Sequence, residues 1–314
     1  MTTVPPLLVI AGATATGKSG LAIDVAEKLA GEGIAVEIIS ADSRQVYRGL
    51  DIGTAKVAAA DRRGIPHHGL DLVDPDGAFT VAEFADHARA VLRELAARNA
   101  RTLAILVGGT GLYLRAVARG IATEALPSDA AVRARLEAEF LAVGLEPLVE
   151  RLRAVAPRRA AAIDTANPRR VVRALEIAEV AGGEPELPAP RGYDGPSAWI
   201  GLRVEPATHH RWIEHRARAQ FDAGLIDEAR ALRERWDPAL PAFSAIGYRE
   251  AWAVLDGQLS REAAIAEDAR RNQAFAKRQR TWFRAEPGIT WLDATGAART
   301  DGAVAVARSI VANR

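Results

Sequence analysis

The stretch GATATGKS, residues 12–19, decides the fold. It stands directly behind the apolar run LLVIA (7–11) and ahead of GLAIDVAEKLA (20–30), where Leu21, Val25 and Leu29 recur four apart and share one face of a helix. In G-x-x-x-x-G-K-S, Gly12 and Gly17 permit torsions that turn the N–H groups of the loop through Ala13, Thr14, Ala15 and Thr16 inward. The following helix adds its positive N-terminal end. Lys18 contributes a point charge for a terminal phosphate, and Ser19 offers an oxygen to Mg2+. Such a loop wraps phosphates, but it serves nucleotide hydrolases, kinases and enzymes that never touch a nucleoside triphosphate. Nucleotide binding, including ATP binding, stays open at this point.

Outward from the loop, Leu7–Ala11, Val36–Ser40 and Leu103–Val107 read as strands that alternate with helical segments, the pattern of a helix-covered parallel sheet. A helix is expected over Val81–Ala97, entered at Thr80 with Glu83 at the capping-box spacing. From Pro127 to Ala181 the chain is rich in Ala, Arg, Leu and Glu. Ser128 and the pair Asn167-Pro168 are placed as helix starts and Gly182-Gly183 as a stop. EPELPAPRGYDGPS (184–197) holds four prolines and two glycines and reads as a linker. AWIGLRV (198–204) then rejoins the sheet, and GITWLDA (288–294) supplies a last strand. The expected fold is α/β: a P-loop NTPase-like parallel sheet core flanked by helices, with an all-helical insertion domain. Residues 1–125 and 195–314 form the core with its helical C-terminal part, 126–183 the insertion, and 184–197 the linker.

Composition narrows the chemistry. With 314 residues, 49% of them apolar, the chain can bury a full core. It has no cysteine, which excludes disulfides, thiol catalysis and thiolate metal sites. No run approaches the ~20 apolar residues of a membrane span, and MTTVPPLLVIAGA reads as a first strand and not as a secretory leader. A cytoplasmic home is expected. Net charge is only +1, so affinity for nucleic acid has to come from local basic patches. His67 and His68 lack a third ligand at a recognisable spacing and read as polar core or loop residues.

Two further motifs end strands. In ISADSRQVYRGLDIGTAK (39–56), Asp42, Ser43, Arg44 and Gln45 follow the second strand and face the crevice beyond the carboxyl ends of the sheet. Asp42 is open to two roles: a helix cap, or a magnesium ligand in a Walker-B-like position. In LVGGTGLYLRAV (106–117), glycines allow close backbone approach and Thr110 sets one hydroxyl among them. Two basic patches stand apart from these motifs. PRRVVR puts Arg170 and Arg173 one helical turn apart beside Arg169. Residues 269–284 carry six basic residues and no acid, with Phe275, Trp282 and Phe283 spaced to pack and Lys277, Arg278 and Arg280 left for phosphates.

GATATGKS, DSRQVYRGLDIGTAK, IPHHGLDLVDP, VGGTGLY, NPRRVVRALEI, AIGYRE and KRQRTWFR occur in an order that closely resembles the bacterial tRNA dimethylallyltransferase (tRNA isopentenyltransferase) family, from residue 7 to about 284. Departures are small: Val57 stands where a proline usually follows GTAK, and FTVAEF (79–84) where a serine is frequent. The resemblance implies transfer of a dimethylallyl group from dimethylallyl diphosphate to the exocyclic amine of the adenosine 3′-adjacent to the anticodon in tRNA, with Mg2+ and a monomeric enzyme. It implies Asp42 as base, Lys18 and Arg216 (in HRWIEHRARAQF) as cations at the diphosphate, and Thr110 as a hydrogen-bonding group near them. It also implies tRNA contacts at Asp42, Ser43, Arg44, Gln45 and Thr110, at Arg133, Arg169, Arg170 and Arg173, at Ser244, Gly247, Tyr248 and Arg249, and at Lys277, Arg278 and Arg280. A P-loop small-molecule kinase, an adenine-nucleotide isopentenyltransferase and a non-catalytic RNA-binding switch share part of this pattern.

Overall fold

The computed structural model describes residues 4–98, 101–122, 126–186 and 188–312. The expected core boundary at residue 125 lies outside them. The elements run β1 (Leu7–Gly12), α1 (Lys18–Ala30), β2 (Ala35–Ser40), β3 (His67–His68), α2 (Val81–Ala96), β4 (Thr102–Gly108), α3 (Gly111–Ala118), α4 (Ala130–Val143), α5 (Glu146–Val155), α6 (Pro157–Ala162) and α7 (Pro168–Ala181). There follow β5 (Ser197–Arg203), α8 (Pro206–Asp222), α9 (Leu225–Arg235), α10 (Tyr248–Leu255), α11 (Arg261–Arg284), β6 (Ile289–Asp293) and α12 (Arg299–Ala312).

The strands form one parallel sheet in the order β3-β2-β4-β1-β5-β6. Alternation along a strand sends successive side chains to opposite faces. Leu7, Val9 and Ala11 of β1 enter one core with Phe84 of α2, Tyr113 of α3, Phe221 of α8 and Phe283 of α11. Leu8 and Ile10 enter the other, against Leu21, Val25 and Leu29 of α1 and Val304 and Ile310 of α12. The central strands are buried on both faces, which is why they read as continuous apolar runs. β1, β4 and β2 are neighbours, so the three polar motifs leave the sheet side by side at its carboxyl edge.

The chain divides into two compact units, 1–120 with 192–314, and 121–191. Within the second, α4 to α7 surround their own core of Leu136, Leu148, Val149, Leu152, Val171 and Leu175. Local signals set its helix ends. Asn167 accepts from the amides of Arg169 and Arg170, Pro168 takes the first turn, and Gly182 stops α7 at φ 70°. One start differs from expectation. α4 is capped by Asp129, which accepts from Ala131 and Val132, while the Ser128 hydroxyl donates to Glu176. The carboxylate takes the cap because the serine is committed elsewhere.

Three further particulars of the first unit bear on the site. Thr80 and Glu83 make the reciprocal capping box of α2. His67 and His68 form β3, and His68 Nε2 lies 2.7 Å from buried Glu37, so the pair belongs to the sheet edge. Among the described residues no cluster of three or more His, Cys, Asp or Glu is placed to hold a metal, and no helix is long and apolar enough to cross a membrane.

Candidate active site

The loop between β1 and α1 carries the expected geometry. Gly17 has φ 80° and Ala15 φ 58°, and both turn the chain through left-handed conformations. The amides of residues 15–19 make no hydrogen bond among the described residues, leaving a cluster of donors at the helix N-terminus. Thr16 Oγ1 donates to the Ala13 carbonyl at 2.9 Å and closes the loop on itself. Lys18 Nζ also donates to Ala13 O, at 2.5 Å. Burial and the Arg216 charge push the Lys18 ammonium down to about 7, against the opposing pull of Asp42. An anion arriving here would hold that ammonium charged.

The next two strand ends are locked together. A Cβ at Gly108 would come within 2.1 Å of the Ala41 carbonyl oxygen, so only glycine lets these backbones cross. The Thr110 amide donates to Ala41 O, and the Ser43 amide donates to Thr110 Oγ1 at 3.1 Å. Asp42 Oδ1 accepts from the Arg44 amide at 2.8 Å, while Oδ2 accepts no hydrogen bond among the described residues. Arg216 of α8 also reaches the phosphate loop. Its Nη1 donates to Thr14 Oγ1 at 2.5 Å and its Nε to Gln220 at 3.4 Å. Burial works against its charge, and Asp268 and Asp42 sustain it. Asp268 is itself buried, which pushes its carboxyl up to about 6 although Asn272 donates to it. Lys18, Asp42, Thr110 and Arg216, far apart in sequence, thus gather around one loop.

Three residues not singled out from sequence complete the site. Gln279 of α11 accepts from the Thr14 amide at 2.7 Å and donates to Gly109 O at 3.0 Å, joining two of the motifs. Its signal was present in KRQRTWFR, where a side chain other than the charged ones faces inward. Buried His209 of α8 bonds the Thr14 carbonyl through Nε2 at 2.8 Å. Burial lowers the His209 pKa, as do the Arg280, Lys18 and His210 charges, against the Thr14 hydrogen bond. Gln220 donates to the carbonyls of Ile52 and Gly53, at 2.6 and 3.0 Å, and holds the DIGTAK loop. Two cavities adjoin the cluster. One of about 460 Å³ is lined by Ala13, Thr16, His209 and Arg280, and one of about 590 Å³ by Ile52, Lys56, Arg216 and Gln220.

Several residues grouped as RNA contacts prove to have internal work. Gln45 is buried and spends its amide on Ser40, Thr54 and Ala55. Tyr248 is fully buried with its hydroxyl donating to Glu228, which also accepts from the amides of Asp51, Ile52 and Gly53. The amide of buried Gly247 donates to Glu250. Arg44 donates to Pro241 O, and Ser244 Oγ to the same carbonyl. Arg249, Lys277 and Arg278 remain exposed, Arg278 lying over the Phe275 ring at 5.7 Å. Phe275 itself is exposed and does not pack with Trp282 and Phe283 as its spacing suggested. Arg280 turns inward to His209 Nδ1 at 3.0 Å. In the second unit Arg133 and Arg173 both bind buried Glu176 at 2.9 Å, whereas Arg169 and Arg170 are exposed with no side-chain partner among the described residues.

A doubly wound parallel sheet with this loop at its carboxyl edge, an acid and two half-buried cations beside it, defines a P-loop-like phosphate-binding core. The chain belongs to the IPP transferase family, whose model matches residues 45–286. It is 42% identical over 294 residues to the tRNA dimethylallyltransferase of Symbiobacterium thermophilum, covering 93% of this chain and 90% of that one. It is 46% identical over 293 residues to that of Anaeromyxobacter sp. (strain K), covering 91% and 92%. Among solved structures it resembles the tRNA isopentenylpyrophosphate transferase of Bacillus halodurans, with 38% identity, TM-score 0.69, and 98% and 96% of the two chains covered. It also resembles a eukaryotic dimethylallyltransferase acting on tRNA, with 26% identity, TM-score 0.81, and 99% and 80% covered.

Proposed function

We infer that this protein is a tRNA dimethylallyltransferase, moving the dimethylallyl group of dimethylallyl diphosphate to the exocyclic amine of the adenosine 3′-adjacent to the anticodon. The observation that carries the reading is the convergence of Lys18, Asp42, Thr110 and Arg216 on an amide-lined loop, which sets two cations and a carboxylate beside one anion-binding site. The amine of adenine is a weak nucleophile because its lone pair is delocalised into the ring. As its nitrogen bonds to the allylic carbon and the carbon–oxygen bond to diphosphate breaks, one N–H proton has to leave, and Asp42 Oδ2 is the acceptor. Negative charge grows on the departing diphosphate, where the loop amides, Lys18 and Arg216 oppose it. Thr110, fixed by Ser43 and Ala41, orients the reacting amine or the diphosphate.

Mg2+ fits this donor set. The Ser19 hydroxyl makes no hydrogen bond among the described residues, leaving an oxygen for an ion that otherwise prefers phosphates and water. Ser19 would hold it, and its charge would ease departure of diphosphate. Arg169, Arg170, Arg249, Lys277 and Arg278 are the exposed cations suited to tRNA phosphates. The enzyme acts as a monomer in the cytoplasm.

Incubation with labelled dimethylallyl diphosphate, Mg2+ and unmodified tRNA, followed by nucleoside analysis, tests the reading. Prenylated adenosine from the anticodon loop and one diphosphate per transfer are expected. Label on free adenine nucleotide instead of tRNA, or phosphate transfer from ATP without prenylation, would replace it with one of the alternatives.

A further inference from the structure

Thr14, at the middle of the phosphate loop, is held at each of its polar groups. Its amide donates to Gln279 Oε1, its hydroxyl accepts from Arg216, and its carbonyl accepts from His209 Nε2 at 2.8 Å. We propose that His209 and Arg280 form a positioning relay that runs from α11 through α8 to the Thr14 carbonyl and keeps the loop shaped for the donor diphosphate. The inference rests on the reading of this loop as the donor site.

The hydrogen bonds define the state of the ring. A carbonyl oxygen only accepts, so Nε2 carries the proton, and Nδ1 keeps the lone pair that receives Arg280 Nη1 at 3.0 Å. Arginine only donates, so the chain Arg280 to His209 to Thr14 has a single consistent direction. The imidazole is fully buried, and without its partners it would leave a polar ring and a carbonyl unpaired inside the protein.

The loop needs such a hold. A phosphate-binding loop directs its amides at the anion, so its carbonyls point into the protein and have to be satisfied there. Directly after Thr14, Ala15 adopts φ 58°, a left-handed conformation that disfavours any residue with a Cβ and persists only under outside restraint. The Thr14 carbonyl heads the peptide leading into Ala15, so His209 grips the chain where the strain lies. Arg280 is placed to connect that grip to the surface. It is partly exposed, lines the 460 Å³ cavity with Arg203 and Arg284, and lies within one turn of the exposed Lys277 and Arg278. An arginine that looks from sequence like one more phosphate contact therefore supports the loop from behind.

The test uses the full chain with His209→Leu, His209→Gln and Arg280→Leu. Affinity for dimethylallyl diphosphate is measured by calorimetry with Mg2+, KM for donor and for tRNA by steady-state assay, and folding by thermal melting. His209→Leu is expected to weaken donor binding about tenfold, the scale of a buried carbonyl left unpaired, while KM for tRNA changes less than about twofold. His209→Gln, whose amide can still donate to Thr14 and accept from Arg280, should recover donor binding to within about threefold of wild type. Arg280→Leu should raise donor Kd as well, and it carries the test if His209→Leu does not fold. Wild-type donor affinity in His209→Leu or Arg280→Leu overturns the relay. So does a loss in folded His209→Gln as large as that in His209→Leu. A wild-type protein that binds no dimethylallyl diphosphate instead sinks the functional reading beneath it.

Discussion

Asp42 has one oxygen tied to the Arg44 amide and the other uncommitted, which makes a clean substitution available. Asp42→Asn can keep the first hydrogen bond while removing the proton acceptor. It should bind donor and tRNA close to normally and lose on the order of 100-fold or more in kcat. If donor affinity falls instead and extra Mg2+ restores the rate, Asp42 acts as a metal ligand and the base is elsewhere. Lys18→Ala removes a cation that the loop holds against Ala13 O, so its loss is felt where leaving-group charge develops. Donor KM should rise and kcat fall, together on the order of 100-fold in kcat/KM. Unchanged kinetics for the donor would move the diphosphate away from this loop. Lys18, Asp42 and Thr110 were legible because each lies in a contiguous motif at a strand end. His209 was not, since its partners Thr14 and Arg280 are 195 and 71 residues away and nothing local marks an imidazole as a loop support.

Helices carry the same lesson in their polar residues. The capping box at Thr80 and the Asn167-Pro168 start were readable because caps act over three residues, whereas two-residue β3 had too short a pattern to register. Arg133 and Arg173 look from sequence like surface cations, yet α4 and α7 bring both to Glu176, which lies fully buried and also accepts from Ser128 and the Asp129 amide. The clue available was Glu176 itself, a carboxylate inside the apolar run VVRALEI one turn from Arg173. Burial alone would raise the Glu176 carboxyl. The hydrogen bonds from Arg133, the Asp129 amide and Arg173, with the Arg173 charge, outweigh it and bring the group down to about 2. The depressed value means that stability is fully present above the unfolded pKa of 4.5 and is lost as pH falls from there toward 2. Helical signal of the second unit should therefore weaken over that window. Glu176→Ala, which removes the shared acceptor of two partly exposed arginines, Ser128 and the Asp129 amide, should destabilise it by about 2 kcal/mol at neutral pH in a urea titration. Exposed Arg169 and Arg170 are expected to behave oppositely. Replacing both should leave folding intact, raise KM for tRNA and flatten its salt dependence. An unchanged salt series would return them to an ordinary solvated face.

At the scale of the whole chain, the division of labour between the two units is open to direct separation. The Gly192 amide donates to the Arg119 carbonyl at 3.0 Å, so the chain leaves and re-enters the first unit at hydrogen-bonded neighbours. Residues 121–191 have an apolar core of their own, and the sheet, the phosphate loop, α8 and α11 all lie in the remainder. Replacing 121–191 by a few glycines and serines should close that gap with little chain-entropy cost. The shortened protein keeps Lys18, Asp42, Thr110, His209, Arg216 and Gln279, so it should bind dimethylallyl diphosphate within about threefold of the intact enzyme by calorimetry, the scatter expected for independent sites. Its net charge is near neutral overall, which leaves only local cations such as Lys277 and Arg278 to attract RNA. Without Arg169 and Arg170, affinity for tRNA should drop at least about tenfold, with a shallower dependence on salt. Loss of donor binding in a folded core would show that the second unit shapes the diphosphate site. Retention of full tRNA affinity would remove the insertion from RNA recognition and leave α11 and the strand-end loops to hold the substrate alone.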